Sequence, residues 1–116
     1  MVKPGGSIQL HWHANSIISG AFYPTVEKTD KICFHDPNNR RTQWMVSIEP
    51  NEDNPFNTQA WGISVENNML VLFPSWLVHS VEPNEKATTD RISISFNTFV
   101  KGTLGIPRSF NELILK

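Results

Sequence analysis

Cysteine is nearly absent: the chain of 116 residues holds one, Cys33. No intrachain disulfide can staple the fold, which fits a reducing compartment, and a cytoplasmic protein is expected, in a host cytoplasm if the chain is phage-encoded. An excess of charge is missing too, with ten Lys and Arg against eleven Asp and Glu. Nucleic-acid binders carry a basic surplus, and the pair Arg40–Arg41 is too small to supply one. There is no apolar run of membrane-spanning length, and the start MVKPGGSIQ lacks a signal-peptide core. Helical periodicity is scarce, with one weak 3.6-residue pattern in SFNELILK at 109–116. These absences predict one soluble domain over 1–116, with no nucleic-acid or membrane partner. Its modest core invites a second copy, as a homodimer.

What is present is a period of two. SIQLHWH (7–13) alternates, with Ile8, Leu10 and Trp12 on one face and Gln9, His11 and His13 on the other. Strand patterns follow at 17–23, 31–36, 59–66, 68–74, 76–82 and 91–100. In the last, Ile92, Ile94 and Phe96 oppose Arg91, Ser93, Ser95 and Asn97. Turn signals separate the runs: Pro24, Asp36-Pro37, Asn67-Asn68, Pro74-Ser75 and Pro83-Asn84. Short strands without interleaved helices predict an all-β sandwich or barrel. The start, with no leading element before Ser7, reads as a minimal or shortened form of such a fold. The polar insert from Pro37 to Asn57 is either a lid bearing Trp44 and Phe56 or a plain connector.

Three histidines carry the chemistry. On a strand, His11 and His13 project to one side and reach a common point. Neutral imidazole ligates Fe, Zn, Cu and Ni, but an isolated HxH pair equally suits a solvated strand face. His79 shares its face with Leu77 and Val81, so it is either a core histidine or a third ligand. Arg91 heads a polar strand face with Ser93. If that face points inward, a buried guanidinium needs an anion, and a carboxylate would take it bidentately. If it points outward, Arg91 is a surface residue near Asp90 or Glu82.

The segments GGSIQLHWHANSIISGAFY, CFHDP, LVLFPSWLVHSVEPN and RISISFN resemble the Fe(II)/2-oxoglutarate-dependent oxygenase superfamily, in its short bacterial and phage branch. The resemblance spans residue 5 to about 98. It implies a double-stranded β-helix, a jelly-roll or cupin-like barrel. It further implies a hydroxylase that uses Fe(II) and converts 2-oxoglutarate to succinate. His11 and His79 match the first and last metal ligands, and His13 stands where most members carry Asp or Glu. Arg91 and Ser93 match the binders of the distal carboxylate of 2-oxoglutarate, and Tyr23 matches an assisting hydroxyl. His35 and Asp36 are a less favoured source of a ligand.

Two other classes stay open. A cupin-type three-histidine metalloprotein meets Gly5, His11 and His13 at G-x5-H-x-H, and Pro74 with His79 at P-x4-H. It lacks the glutamate expected after HxH and leaves Arg91 without a role. A non-enzymatic jelly roll would use the four tryptophans as a contact surface.

Overall fold

The computed structural model describes residues 1–37 and 50–114. Among them there is no helix, and nine strands run in chain order: β1 Ile8–His11, β2 Ile18–Thr25, β3 Lys31–His35, β4 Ala60–Ser64, β5 Met69–Pro74, β6 His79–Val81, β7 Ile92–Thr98, β8 Gly102–Leu104 and β9 Asn111–Leu113. Seven of them lie on the seven alternating runs of the sequence. The exception is the end of the chain. Within the weak helical pattern at 109–116, Asn111–Leu113 instead form strand β9, paired with β8. Gly102 and Gly105, at φ of 94° and 107°, supply the left-handed backbone that folds this segment into a hairpin. A few apolar residues at a chain end fit either period, so the local chain geometry decided.

Two antiparallel sheets form the body, ordered β1-β6-β3-β4 and β5-β2-β7. From β1 to β7 the chain changes sheet at every connection except β3 to β4. This is the winding of a jelly-roll-like, all-β fold. The sheets close on a core of Ala21, Tyr23, Ile32, Val65 and Phe73, with Phe34 and Leu77 packed against it. Asn68 takes a left-handed φ of 66° in the β4–β5 turn, as the Asn67-Asn68 signal predicts.

Two bulges shape the site. Along β1, Ile8 pairs with Val81 and His11 with His79. Three steps on β1 therefore match two on β6, so one extra residue is inserted. The expected alternation fails there, because Ile8, rather than Gln9, faces the same cavity as His11 and His13. A second irregularity separates Phe22↔Ile94 from Thr25↔Ile92. It falls on Pro24, which has no N–H to give the ladder, and it lies beside Tyr23 and Arg91. The latter is clamped by reciprocal backbone bonds to Val2, both 2.8 Å.

Candidate metal centre

Strand pairing brings the histidines together. His11 and His79 are register partners across β1 and β6, and their ring centroids are 4.2 Å apart. His13 lies just past β1, held by its backbone N–H to the Ser75 carbonyl at 2.9 Å. Its ring stands 5.1 Å from that of His11 and 5.2 Å from that of His79. The candidate ligand atoms of all three lie within 4.8 Å of one another. Metal–imidazole bonds of about 2.1 Å set ligand nitrogens about 3 Å apart at right angles, so the rings need close by at most about 2 Å.

The same local device orients two of the rings. His11 Nδ1 bonds the Gln9 carbonyl at 2.8 Å, and His79 Nδ1 bonds the Leu77 carbonyl at 2.9 Å. A carbonyl can only accept, so Nδ1 carries the proton and Nε2 keeps its lone pair for a metal. Burial lowers the pKa of His79, reinforced by the neighbouring histidines and opposed by its bond to Leu77. Burial also lowers that of His13, with His11 adding to the effect. Both effects favour the neutral, ligating imidazole. Phe73, its ring 4.6 Å from that of His79, walls the cluster on the core side.

The same cavity contains a candidate anion cradle. Arg91, Ser93, Ser95 and Tyr23 line it together with the three histidines. Arg91 is 5% exposed. It donates from Nη1 to the Lys31 carbonyl at 2.8 Å and from Nη2 to the Tyr23 hydroxyl at 3.3 Å. Its guanidinium also stacks 5.1 Å from the Tyr23 ring centroid. Nε is buried with no partner, and Arg91 makes no ion pair among the described residues. Burial raises the Tyr23 pKa, outweighing the Arg91 charge. The phenol therefore keeps its proton, and because its oxygen already accepts from Arg91, that proton is free to donate. An unpaired buried cation costs several kcal/mol, and the cradle presents two unused donors that a carboxylate would satisfy. The cavity is small, about 60 Å³.

Other candidates fall elsewhere. His35 Nε2 bonds Ser80 Oγ at 2.9 Å and stands outside the three-histidine group. Phe56 is 80% exposed and lines no wall of the histidine cavity. Trp44 lies outside the described residues. Sequence reasoning missed Ser75, which is fully buried. Its hydroxyl meets Ser16 Oγ at 2.7 Å and Ser19 Oγ at 2.8 Å, and Ser19 donates to Asn97 Oδ1 at 2.7 Å. This network braces the segment whose carbonyl holds His13. Its only sequence signal was the inward parity of Ser19 and Asn97 on their strands.

Residues 1–97 match the family described as "Putative 2OG-Fe(II) oxygenase". The chain belongs to that family. No curated protein matches it. Fe(II) and 2-oxoglutarate are the cofactors of a 2OG-Fe(II) oxygenase, and the residues present fit both. Three converging imidazoles suit iron, and the partnerless Arg91 Nε suits a carboxylate.

Proposed function

We propose that this oxygenase hydroxylates an organic substrate while converting 2-oxoglutarate to succinate and carbon dioxide. The observation that carries the reading is the orphaned, buried Nε of Arg91, in one cavity with three converging histidines. His11, His13 and His79 would hold the iron, His11 and His79 through their Nε2 atoms. Together, Fe(II) and 2-oxoglutarate supply an oxidant drawn from dioxygen.

The chain's own residues bind and orient. Arg91 and the Tyr23 hydroxyl take the far carboxylate, and Ser93 adds a third donor. The cavity then directs the remainder of the cosubstrate toward the histidines. Its apolar walls, Ile8, Ile32, Phe73 and Val81, exclude water. The histidine set brings no negative charge to the ion. The dianionic cosubstrate supplies it, so metal and 2-oxoglutarate should each tighten the binding of the other. A three-histidine metalloprotein that does not use 2-oxoglutarate would leave the Arg91 cradle without a ligand.

The test is anaerobic titration of the Fe(II)-loaded protein with 2-oxoglutarate, followed by the visible charge-transfer absorption of the chelate. A saturable band, with succinate formed once air is admitted, is the expected result. Fe(II) binding with no band and no 2-oxoglutarate-dependent rise in melting temperature would overturn the proposal.

A further inference from the structure

The sheet β5-β2-β7 has an outer face that is almost wholly apolar. Ile18, Leu70, Leu72, Ile92, Ile94 and Phe96 are each between 37 and 57% exposed. Pairing registers align them across the three strands around Gly20, which stands opposite both Leu72 and Phe96. A Cβ on Gly20 would collide with the Phe96 ring and come within 2.9 Å of Leu72. The glycine thus lets those side chains lie down over the backbone, and the face is flat. Contiguous apolar patches of this size mark interaction surfaces.

The hairpin β8–β9 raises the complementary problem. It leaves the end of β7 directly, yet it contacts no other strand among the described residues. Ile106, Phe110 and Ile114 are 59–74% exposed. An isolated two-stranded hairpin is marginal in water and needs an apolar surface to pack on. The Cα radius of gyration is 17.6 Å, against about 13 Å for a compact chain of this length. The hairpin also lies outside the residues that match the family. Among the described residues, one chain therefore carries an apolar arm with nothing beneath it and a flat apolar face with nothing above it.

We propose that the protein is a homodimer in which each copy lays its β8–β9 arm across the outer face of the partner's β5-β2-β7 sheet. The areas agree with this. At roughly 150 Å² per large apolar side chain, face and arm together present on the order of 700 Å² per chain. Two reciprocal contacts cover about 1,400 Å², within the roughly 1,200–2,000 Å² of a stable interface. The arrangement is isologous, and arm and face each occur once per copy, so it closes as a twofold.

Sedimentation velocity of the full chain over a wide concentration range tests the proposal, with two single variants. Ile94→Glu charges the face and Phe110→Glu charges the arm. Both residues are exposed, so both variants should fold. The wild type should dimerise, and each variant should raise the dimer Kd roughly 100-fold or more. Mixing the two variants should restore a heterodimer, because one intact arm then meets one intact face. A wild type that is monomeric throughout would overturn the proposal. So would dimers that survive Phe110→Glu, since the faces would then meet without the arms.

Discussion

Around β7, the two faces of the sheet β5-β2-β7 reverse the usual order. Its inner face there offers Tyr23, Ser93 and Ser95, with Arg91 beside them, to the cavity, and its outer face offers Leu70, Leu72, Ile94 and Phe96 to the surroundings. One strand, β7, does both by alternation. An antiparallel sheet ordinarily buries its apolar side and wets its polar one. Under the two proposals above, a ligand neutralises the inside and a second copy covers the outside.

The comparison breaks most sharply at Arg91. Arg91→Ala should weaken 2-oxoglutarate binding about 100-fold, the worth of a buried charge-assisted pair, while dimerisation stays unchanged. Calorimetric titration and sedimentation measure the two sides separately. Arg91→Lys should recover only part of the affinity, because an ammonium cannot reproduce the guanidinium fork.

A smaller loss is expected at Ser75. Removing its hydroxyl in Ser75→Ala takes one hydrogen bond each from Ser16 and Ser19, which keep their bonds to the Thr98 carbonyl and to Asn97, costing about 1 kcal/mol of stability by denaturant unfolding. Metal affinity should fall with it as His13 loses its support. If stability falls and metal affinity does not, the network serves only the fold.

Gly20→Ala probes the outer side. The atoms in the way are the ends of two side chains that are not buried, so they can swing aside. Stability should stay within about 1 kcal/mol of wild type, 2-oxoglutarate binding should hold, and the dimer should weaken.

The smallest effects are those of pH. His13 and His79 have folded pKa values below 6.5. The unfolded chain therefore takes up their protons first, and the metal-free protein should lose stability as pH falls below about 6.5. Metal should offset the loss until protons compete for the ligands. Glu27 acts in a different range. Its carboxylate accepts four hydrogen bonds, from the backbone N–H and the hydroxyl of both Thr88 and Thr89. The backbone bond from Thr88 is the largest influence holding its pKa at about 2. That tie is complete above the ordinary carboxylate range, near 4.5, and is lost as pH falls through about 2. Glu27→Gln should remove this acid-side slope in a melting-temperature profile and leave the neutral-pH metal affinity unchanged.

The strands were legible because alternation is strong wherever a strand lies between a core and an outside. RISISFN gave β7 its faces, and parity grouped Arg91 with Ser93 and Ser95 while leaving open whether that face points inward. The parity argument failed at Ile8–His11, where one inserted residue turns Ile8 into the cavity. It also could not see backbone partners. The Lys31 carbonyl that takes Arg91 Nη1, and the Ser75 carbonyl that anchors His13, leave no trace in residue type. Pro74-Ser75 read as a turn, and nothing in that signal says that the serine is a buried hub. The resemblance singled out the three histidines, and the structure supplied the reasons that two of them are held in one tautomer.

The backbone clamp between Val2 and Arg91 has a consequence for how the protein is made. Each half of the site joins the beginning of the chain to its later part: Val2 to Arg91, Tyr23 to Arg91, His11 to His79. Such high contact order slows folding, because loop closure precedes the contacts that reward it. On the ribosome, His11 and His13 emerge before β6 and β7 and must wait, unpaired, until these follow. Neither iron nor cosubstrate can find its complete site before β7 has been made, so the site is assembled well after its first histidines appear.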